Sequence, residues 1–280
     1  MARGHILMQG LEFHQGDSST SAPAETIWLV SGTGDGPPLA QALLQRGWNV
    51  LVSVVSTSAT RAYRSHPNLR FQVGKLQEDE AVDQLLRTLR PRWVLDASHP
   101  FAAVISGRLQ RRCQAINQPL LRLQRETPRL PEGTRIHGIQ QLEDLRSIAL
   151  RGERLLLAIG SRHLQTALRQ SSASQHFARI LDNPESLRLA LAAGFEPQQL
   201  ACVRPGALPE GAIERALCRR WGISAVLCRQ SGGLTQQIWQ DLSQELGLQL
   251  IQIRPPAEQL PVGLTPEGIL RQVGAAQARS

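Results

Sequence analysis

Asp96, Ser98 and His99 fall within four residues of one another in the run Val94-Leu95-Asp96-Ala97-Ser98-His99-Pro100-Phe101-Ala102. A carboxylate, a hydroxyl and an imidazole so spaced can orient a ligand or relay a proton, and the imidazole titrates nearest neutrality. An apolar strand leads into Asp96, and Pro100 predicts the start of a helix. The polar residues then stand at a strand-to-helix junction, where an open α/β sheet places its ligand. The same residues also admit a purely structural role, with Ser98 capping the helix and Pro100 in its first turn.

A second candidate lies earlier. Ser31-Gly32-Thr33-Gly34-Asp35-Gly36 follows the apolar run Ile27-Trp28-Leu29-Val30 and precedes a helix predicted from 37 or 38 to 46. Strand, glycine turn and helix form the front half of a dinucleotide-binding unit, in which glycines let the backbone approach a pyrophosphate. The match to G-x-G-x-x-G is imperfect, because the third glycine arrives early at Gly36. Gly32, Thr33, Gly34, Asp35 and Gly36 are the expected phosphate contacts. Beyond the next strand, 49–55, the chain reads Ser56-Thr57-Ser58-Ala59-Thr60-Arg61, without the acidic residue that binds the ribose of NAD. Hydroxyls and arginine suit a 2′-phosphate, so Ser56, Thr57 and Arg61 predict NADPH.

The elements needed to position these residues recur along the chain. Strands are predicted at 70–73, 93–96 and 120–123, with helices at 78–90 and 100–117. Pro128, Pro131 and Gly133 mark a linker over 126–134. The alternation then restarts, with helices at 142–150, 184–193, 210–221, 234–246 and 266–278. Strands are expected at 154–159, 177–181, 200–203, 225–228 and 248–253. This alternation predicts an α/β protein with two Rossmann-like αβ domains, mainly parallel sheets and a cleft between them. The expected layout is a disordered leader (1–26), an NADP-binding domain (27–125), the linker, a second αβ domain (135–262) and a C-terminal helix and tail (263–280). Strands of the second domain also end in small or basic residues: Gly160-Ser161-Arg162, Arg204-Pro205-Gly206 and Arg229-Gln230-Ser231-Gly232.

Composition limits the partners. The 280 residues carry a net charge of +8, almost all from arginine, since Lys75 is the only lysine. An anionic partner follows. Dispersed arginines and 4% aromatic residues argue against nucleic acid, which single-strand binders hold on aromatic platforms. No apolar run is long enough for a membrane span, and the first residues do not resemble a signal peptide, so a cytoplasmic protein is expected. Cys113, Cys202, Cys218 and Cys228 are scattered, which predicts no metal and no disulfide, and Cys202 and Cys228 fall in runs read as buried strands.

Taken together, these motifs resemble the precorrin-6A reductase family of corrin-ring biosynthesis, including its cobalt-precorrin-6A form. The family's Asp-Ala-Thr-His-Pro-Phe-Ala is matched from Asp96 to Ala102, with Ser98 for threonine. Gly32-Thr33, Pro119-Leu120-Leu121-Arg122-Leu123, Gly160-Ser161, Ala178-Arg179-Ile180-Leu181 and Pro184-Glu185-Ser186-Leu187 also match. Departures occur at Gly34-Asp35-Gly36, at Arg204-Pro205-Gly206-Ala207, at Cys228-Arg229-Gln230 and at Trp239, where the family has a lysine. The resemblance implies NADPH-dependent reduction of one carbon-carbon double bond in a tetrapyrrole polycarboxylate; a monomer is expected. On that reading Asp96 and Ser98 face the cofactor, and His99 and Asp96 are the candidate catalytic groups. His99, Pro100, Phe101, Ser161, Arg162, Arg204, Arg229, Ser231 and Gly232 meet the substrate. Two alternatives fit the same residues: an NADP-dependent reductase of another anionic small molecule, or a non-catalytic NADP- or tetrapyrrole-binding protein.

Overall fold

The computed structural model describes residues 25–32, 34–125, 135–203, 211–256 and 263–276. The linker, Thr33, Arg204 and residues 1–24 of the expected leader lie outside them, whereas Thr26, read as the end of that leader, already opens the first strand. The chain forms two compact units, one of residues 1–124 with 257–280 and one of residues 125–256.

In the first unit the strands are β1 (Thr26–Ser31), β2 (Asn49–Val54), β3 (Leu69–Val73), β4 (Trp93–Ala97) and β5 (Leu120–Arg122). The intervening helices are α1 (Gly36–Leu44), α2 (Thr57–Thr60), α3 (Asp79–Leu89) and α4 (Ala103–Ala115). All pairings are parallel, in the order β3-β2-β1-β4-β5. Every residue of β1 and β2 is buried, as a parallel sheet covered on both faces requires. Alternate side chains feed two cores. Ile27, Leu29, Val50 and Val52 pack with Leu39 and Leu43 of α1, whereas Trp28, Val30, Leu51 and Val94 pack with α3 and α4 through Val82, Leu86 and Leu109. The last helix, α9 (Pro266–Val273), returns to this unit. Its Ile269 and Val273 join the α1 core, the Trp48 indole donates to the Gly274 carbonyl at 3.0 Å, and Leu123 bridges Leu264 in parallel.

The second unit contains β6 (Ile136–Ile139), β7 (Arg154–Ala158), β8 (Gln175–Leu181), β9 (Leu200–Val203), β10 (Ala225–Arg229) and β11 (Gln249–Ile253). Its helices are α5 (Leu164–Gln170), α6 (Pro184–Ala192), α7 (Ala212–Arg220) and α8 (Gly233–Leu246). The sheet is again parallel, ordered β6-β11-β10-β7-β8-β9. Leu156, Val226, Cys228 and Leu250 form one face against Trp221, Trp239 and Leu242 of the helical layer.

Several local expectations are corrected. Helix α4 starts at Ala103 rather than at Pro100, because residues 99–101 make a turn first, closed by the Ala102 N–H on the His99 carbonyl at 2.7 Å. Residues 142–147 form a 3₁₀ turn instead of an α-helix through 150. Strand β6 was not expected, since Ile136-His137-Gly138-Ile139 carries a glycine and a histidine and sits at the sheet edge, half solvated. Residues 57–60, within the segment expected to meet the 2′-phosphate, form one helical turn. Cys202 is exposed on edge strand β9, not buried, while Cys113, Cys218 and Cys228 are buried.

Candidate active site

In the first unit the strand order reverses between β1 and β4. From β1 the chain runs outward to β2 and β3, then crosses back to β4 and β5 on the other side. Loops leaving neighbouring strands at such a reversal diverge to opposite faces and open a crevice. Ser31 and Ala97 are register partners, so the turn beginning at Gly32 and the loop beginning at Ser98 leave the sheet side by side. The two candidate motifs, 60 residues apart in sequence (from Gly36 to Asp96), are thereby brought to one place.

The glycine turn is open where a ligand backbone must approach. A Cβ added at Gly32 or Gly34 would meet nothing within 4 Å. Gly36 is different: its Cβ would collide with the Tyr63 and Ser31 hydroxyl oxygens and lie 2.8 Å from Ser31 Cβ. Pro37 and Pro38 occupy the first turn of α1 and contribute no N–H. Among the described residues, the backbone N–H groups that could meet a phosphate here come before Pro37, at Gly32, Gly34, Asp35 and Gly36. The Asp35 carboxylate itself would repel a phosphate. No residue from Val55 to Arg64 is acidic. Ser56, Thr57 and Arg61 are all exposed there, with the Ser56 and Ser58 hydroxyls 3.0 Å apart. An open glycine turn followed by an exposed hydroxyl and arginine segment fits an NADP-type dinucleotide.

Asp96 is only 3% exposed, and its Oδ1 accepts the Ser98 N–H at 3.0 Å. The carboxylate thus shapes the loop as an Asx turn. Ser98 does not cap α4; Ala102 is the N-cap, and the Ser98 hydroxyl lies 3.0 Å from that of Ser106, one turn into α4. His99 is exposed, and its Nδ1 accepts the Phe101 N–H at 3.2 Å. That bond needs the Nδ1 lone pair, so the neutral ring carries its proton on Nε2. The His99 and Phe101 rings tilt together at 5.6 Å, and Pro100 is half-buried between them in sequence. A dinucleotide held in this crevice should bind Asp96→Asn within about threefold of wild type, because Oδ1 can still accept, and Asp96→Ala about tenfold more weakly. Fluorescence titration checks both, and a large loss of turnover by Asp96→Asn at unchanged affinity would instead assign the carboxylate to chemistry.

The second unit has its own reversal, between β7 and β10. Register partners Ala158 and Cys228 place Gly160, Ser161 and Arg162 beside Arg229, Ser231 and Gly232. The Arg229 guanidinium is pushed below its usual range first by burial and then by the charge of Arg162. His163 is lowered likewise by burial, Arg229 and Arg162. Arg162 and Arg229 therefore share one positive field, which also reaches His163 and favours its neutral form, a neighbour that sequence reasoning did not single out. Ser161 Oγ donates to Ser186 Oγ on α6 at 3.3 Å, and Ser231 is buried. Gly232 and Gly233 both adopt positive φ, at 69° and 63°, a conformation that favours glycine. The Gly232 N–H is held by Gln236 Oε1 at 2.8 Å, another contact invisible in the sequence. Trp239, aligned with the family's lysine, is 2% exposed and belongs to the core.

Two doubly wound parallel sheets, each with polar loops at its strand-order reversal, define an α/β protein built to hold ligands at the carboxyl ends of its strands. The chain belongs to the Precorrin-6x reductase CbiJ/CobK family, whose model matches residues 26–273, and so to the oxidoreductases of cobalamin biosynthesis. It is 32% identical over 239 residues to a cobalt-precorrin-6A reductase of Synechocystis sp., covering 82% of this chain and 88% of the relative. A precorrin-6A reductase of Mycobacterium tuberculosis is 27% identical over 244 residues, with 85% and 91% covered. A solved CobK precorrin-6A reductase shares the fold at a TM-score of 0.72 and 24% identity, over 91% of this chain and 100% of that one.

Proposed function

We propose that this chain reduces a ring carbon-carbon double bond of precorrin-6A, or of its cobalt form, with NADPH as hydride donor. The observation that carries the cofactor half is the pairing of the open glycine turn after β1 with the acid-free Ser56, Thr57 and Arg61 segment after β2. Gly32, Gly34, Asp35 and Gly36 would hold the pyrophosphate through backbone N–H groups, and Arg61 with the neighbouring hydroxyls would hold the 2′-phosphate. When bound, the nicotinamide supplies the hydride. Asp96 fixes the loop over the β1/β4 reversal, and His99 stands exposed on that loop with its ring proton on Nε2.

The substrate half rests on Arg162 and Arg229, with His163 beside them as a polar neighbour. A corrin precursor is an apolar ring edged with carboxylates, and a positive rim with a glycine loop at a helix start suits such groups. Ser161, Ser231 and Gly232 shape that rim. Arg229→Ala should raise the KM for the tetrapyrrole about tenfold while the NADPH dissociation constant stays unchanged, as steady-state kinetics and a parallel titration will read.

The decisive experiment follows NADPH absorbance with purified protein and precorrin-6A or cobalt-precorrin-6A. Oxidation of NADPH with formation of the dihydro product is expected. Tight tetrapyrrole binding with no oxidation of NADPH would make the chain a binding protein, and neither binding nor turnover would point to another anionic substrate.

A further inference from the structure

Tyr63 is the single tyrosine of the chain and follows Arg61 by two residues. Its backbone N–H donates to the Thr60 carbonyl at 3.1 Å, so it is fastened to the end of α2. Its ring stands edge-on to Phe71, centroids 5.3 Å apart at 73°, and the residue is 9% exposed. From this anchored place Tyr63 Oη donates to the Gly32 carbonyl at 2.6 Å. The Ser31 hydroxyl crowds the same space over Gly36 as the phenol oxygen and donates to the Ala97 carbonyl at 3.3 Å. One phenol therefore touches the turn after β1, belongs to the segment after β2, and neighbours a hydroxyl bonded to the end of β4.

We propose that Tyr63 is a positioning residue that ties the glycine turn to the Arg61 segment, so that the pyrophosphate and 2′-phosphate contacts of NADPH form together. This rests on the cofactor reading given above. Two loops that move independently must each be ordered by the ligand, whereas a rigid tie orders them beforehand and lowers that entropic cost. The benefit is largest for a ligand that uses both loops. NADH reaches the glycine turn but has no 2′-phosphate for the second segment. Loss of the tie thus lowers the preference for NADPH over NADH, which a residue that merely supports the glycine turn would leave unchanged.

The test is equilibrium titration of the full chain, without substrate, by tryptophan fluorescence. Tyr63→Phe should weaken NADPH about tenfold and NADH about twofold, the scale of one lost hydrogen bond plus lost preorganisation. Equal losses for the two cofactors, or none, overturn the proposal. Thermal unfolding of the unliganded variant controls for folding. If Tyr63→Phe does not fold, Ser31→Ala reads the same ratio through the neighbouring hydroxyl, and an unchanged ratio there overturns the proposal too. Arg61→Ala separates the two layers of the argument. Unaltered NADPH binding by Arg61→Ala sinks the cofactor reading, whereas weakened binding there with an unchanged ratio in Tyr63→Phe sinks the tie alone.

Discussion

Arg61→Ala is expected to bind NADPH about thirtyfold more weakly while NADH is held as before, because a charge-assisted guanidinium-phosphate contact is worth that order of magnitude. The argument is electrostatic and local. Residues 55–64 contain no carboxylate, and Arg61 is exposed beside the Ser56 and Thr57 hydroxyls. An exposed charge is screened, so the loss should shrink as salt is raised from low ionic strength to a few tenths molar. Arg61→Lys should recover only part of the affinity, since an ammonium lacks the planar fork that meets two phosphate oxygens at once. Calorimetric titration of both cofactors at two salt concentrations checks all of this. Equal weakening of NADH and NADPH would refute the 2′-phosphate assignment.

Gly36→Ala should be strongly damaging to the first unit. Its Cβ would enter the space of the Tyr63 and Ser31 hydroxyls and press on Ser31 Cβ. Neither neighbour can yield easily. Tyr63 is wedged on Phe71 and bonded to Gly32, and Ser31 is a strand residue with 8% exposure. Overpacking of this kind costs about 1–3 kcal/mol, or about 5 °C in the melting temperature, and the distorted turn should lose NADPH about a hundredfold. Gly34→Ala is the control, because open space surrounds that position. Its melting temperature should match wild type. A similar melting temperature for Gly36→Ala would show that the hydroxyl pair moves aside.

The contrast between these two glycines shows what sequence could and could not convey. Both belong to a recognisable glycine turn, and the turn was legible because an apolar strand and a helix flank it. Nothing local in the sequence says that Gly36 is closed by a tyrosine 27 residues later, a contact made only when β2 pairs with β1. Parallel strands such as β1, β2, β4 and β10 were legible from short apolar runs, since burial on both faces favours apolar side chains along most of each strand. Edge strands lack that constraint, which is why β6 went unseen and Cys202 was taken for a buried residue. The Asp96 motif was found, but its loop was misread. Ser98 looks like a helix cap in isolation, and only the hydroxyl contact with Ser106 and the turn closed on His99 show that the helix begins later. The grouping of Arg162 with Arg229 was legible as basic strand ends. The place of His163 beside them was not, because it depends on β7 and β10 being neighbours.

The return of α9 to the α1 core makes the first unit discontinuous in sequence and the second unit continuous. The first sheet therefore cannot complete its core from one continuous stretch of chain. Ile269 and Val273, each worth about 1.5–3 kcal/mol of burial, come from beyond the whole of the second unit. The glycine turn at the head of α1 thus rests on a helix whose last support lies some 230 residues further along the chain, so the first unit depends on sequence that the second unit does not need.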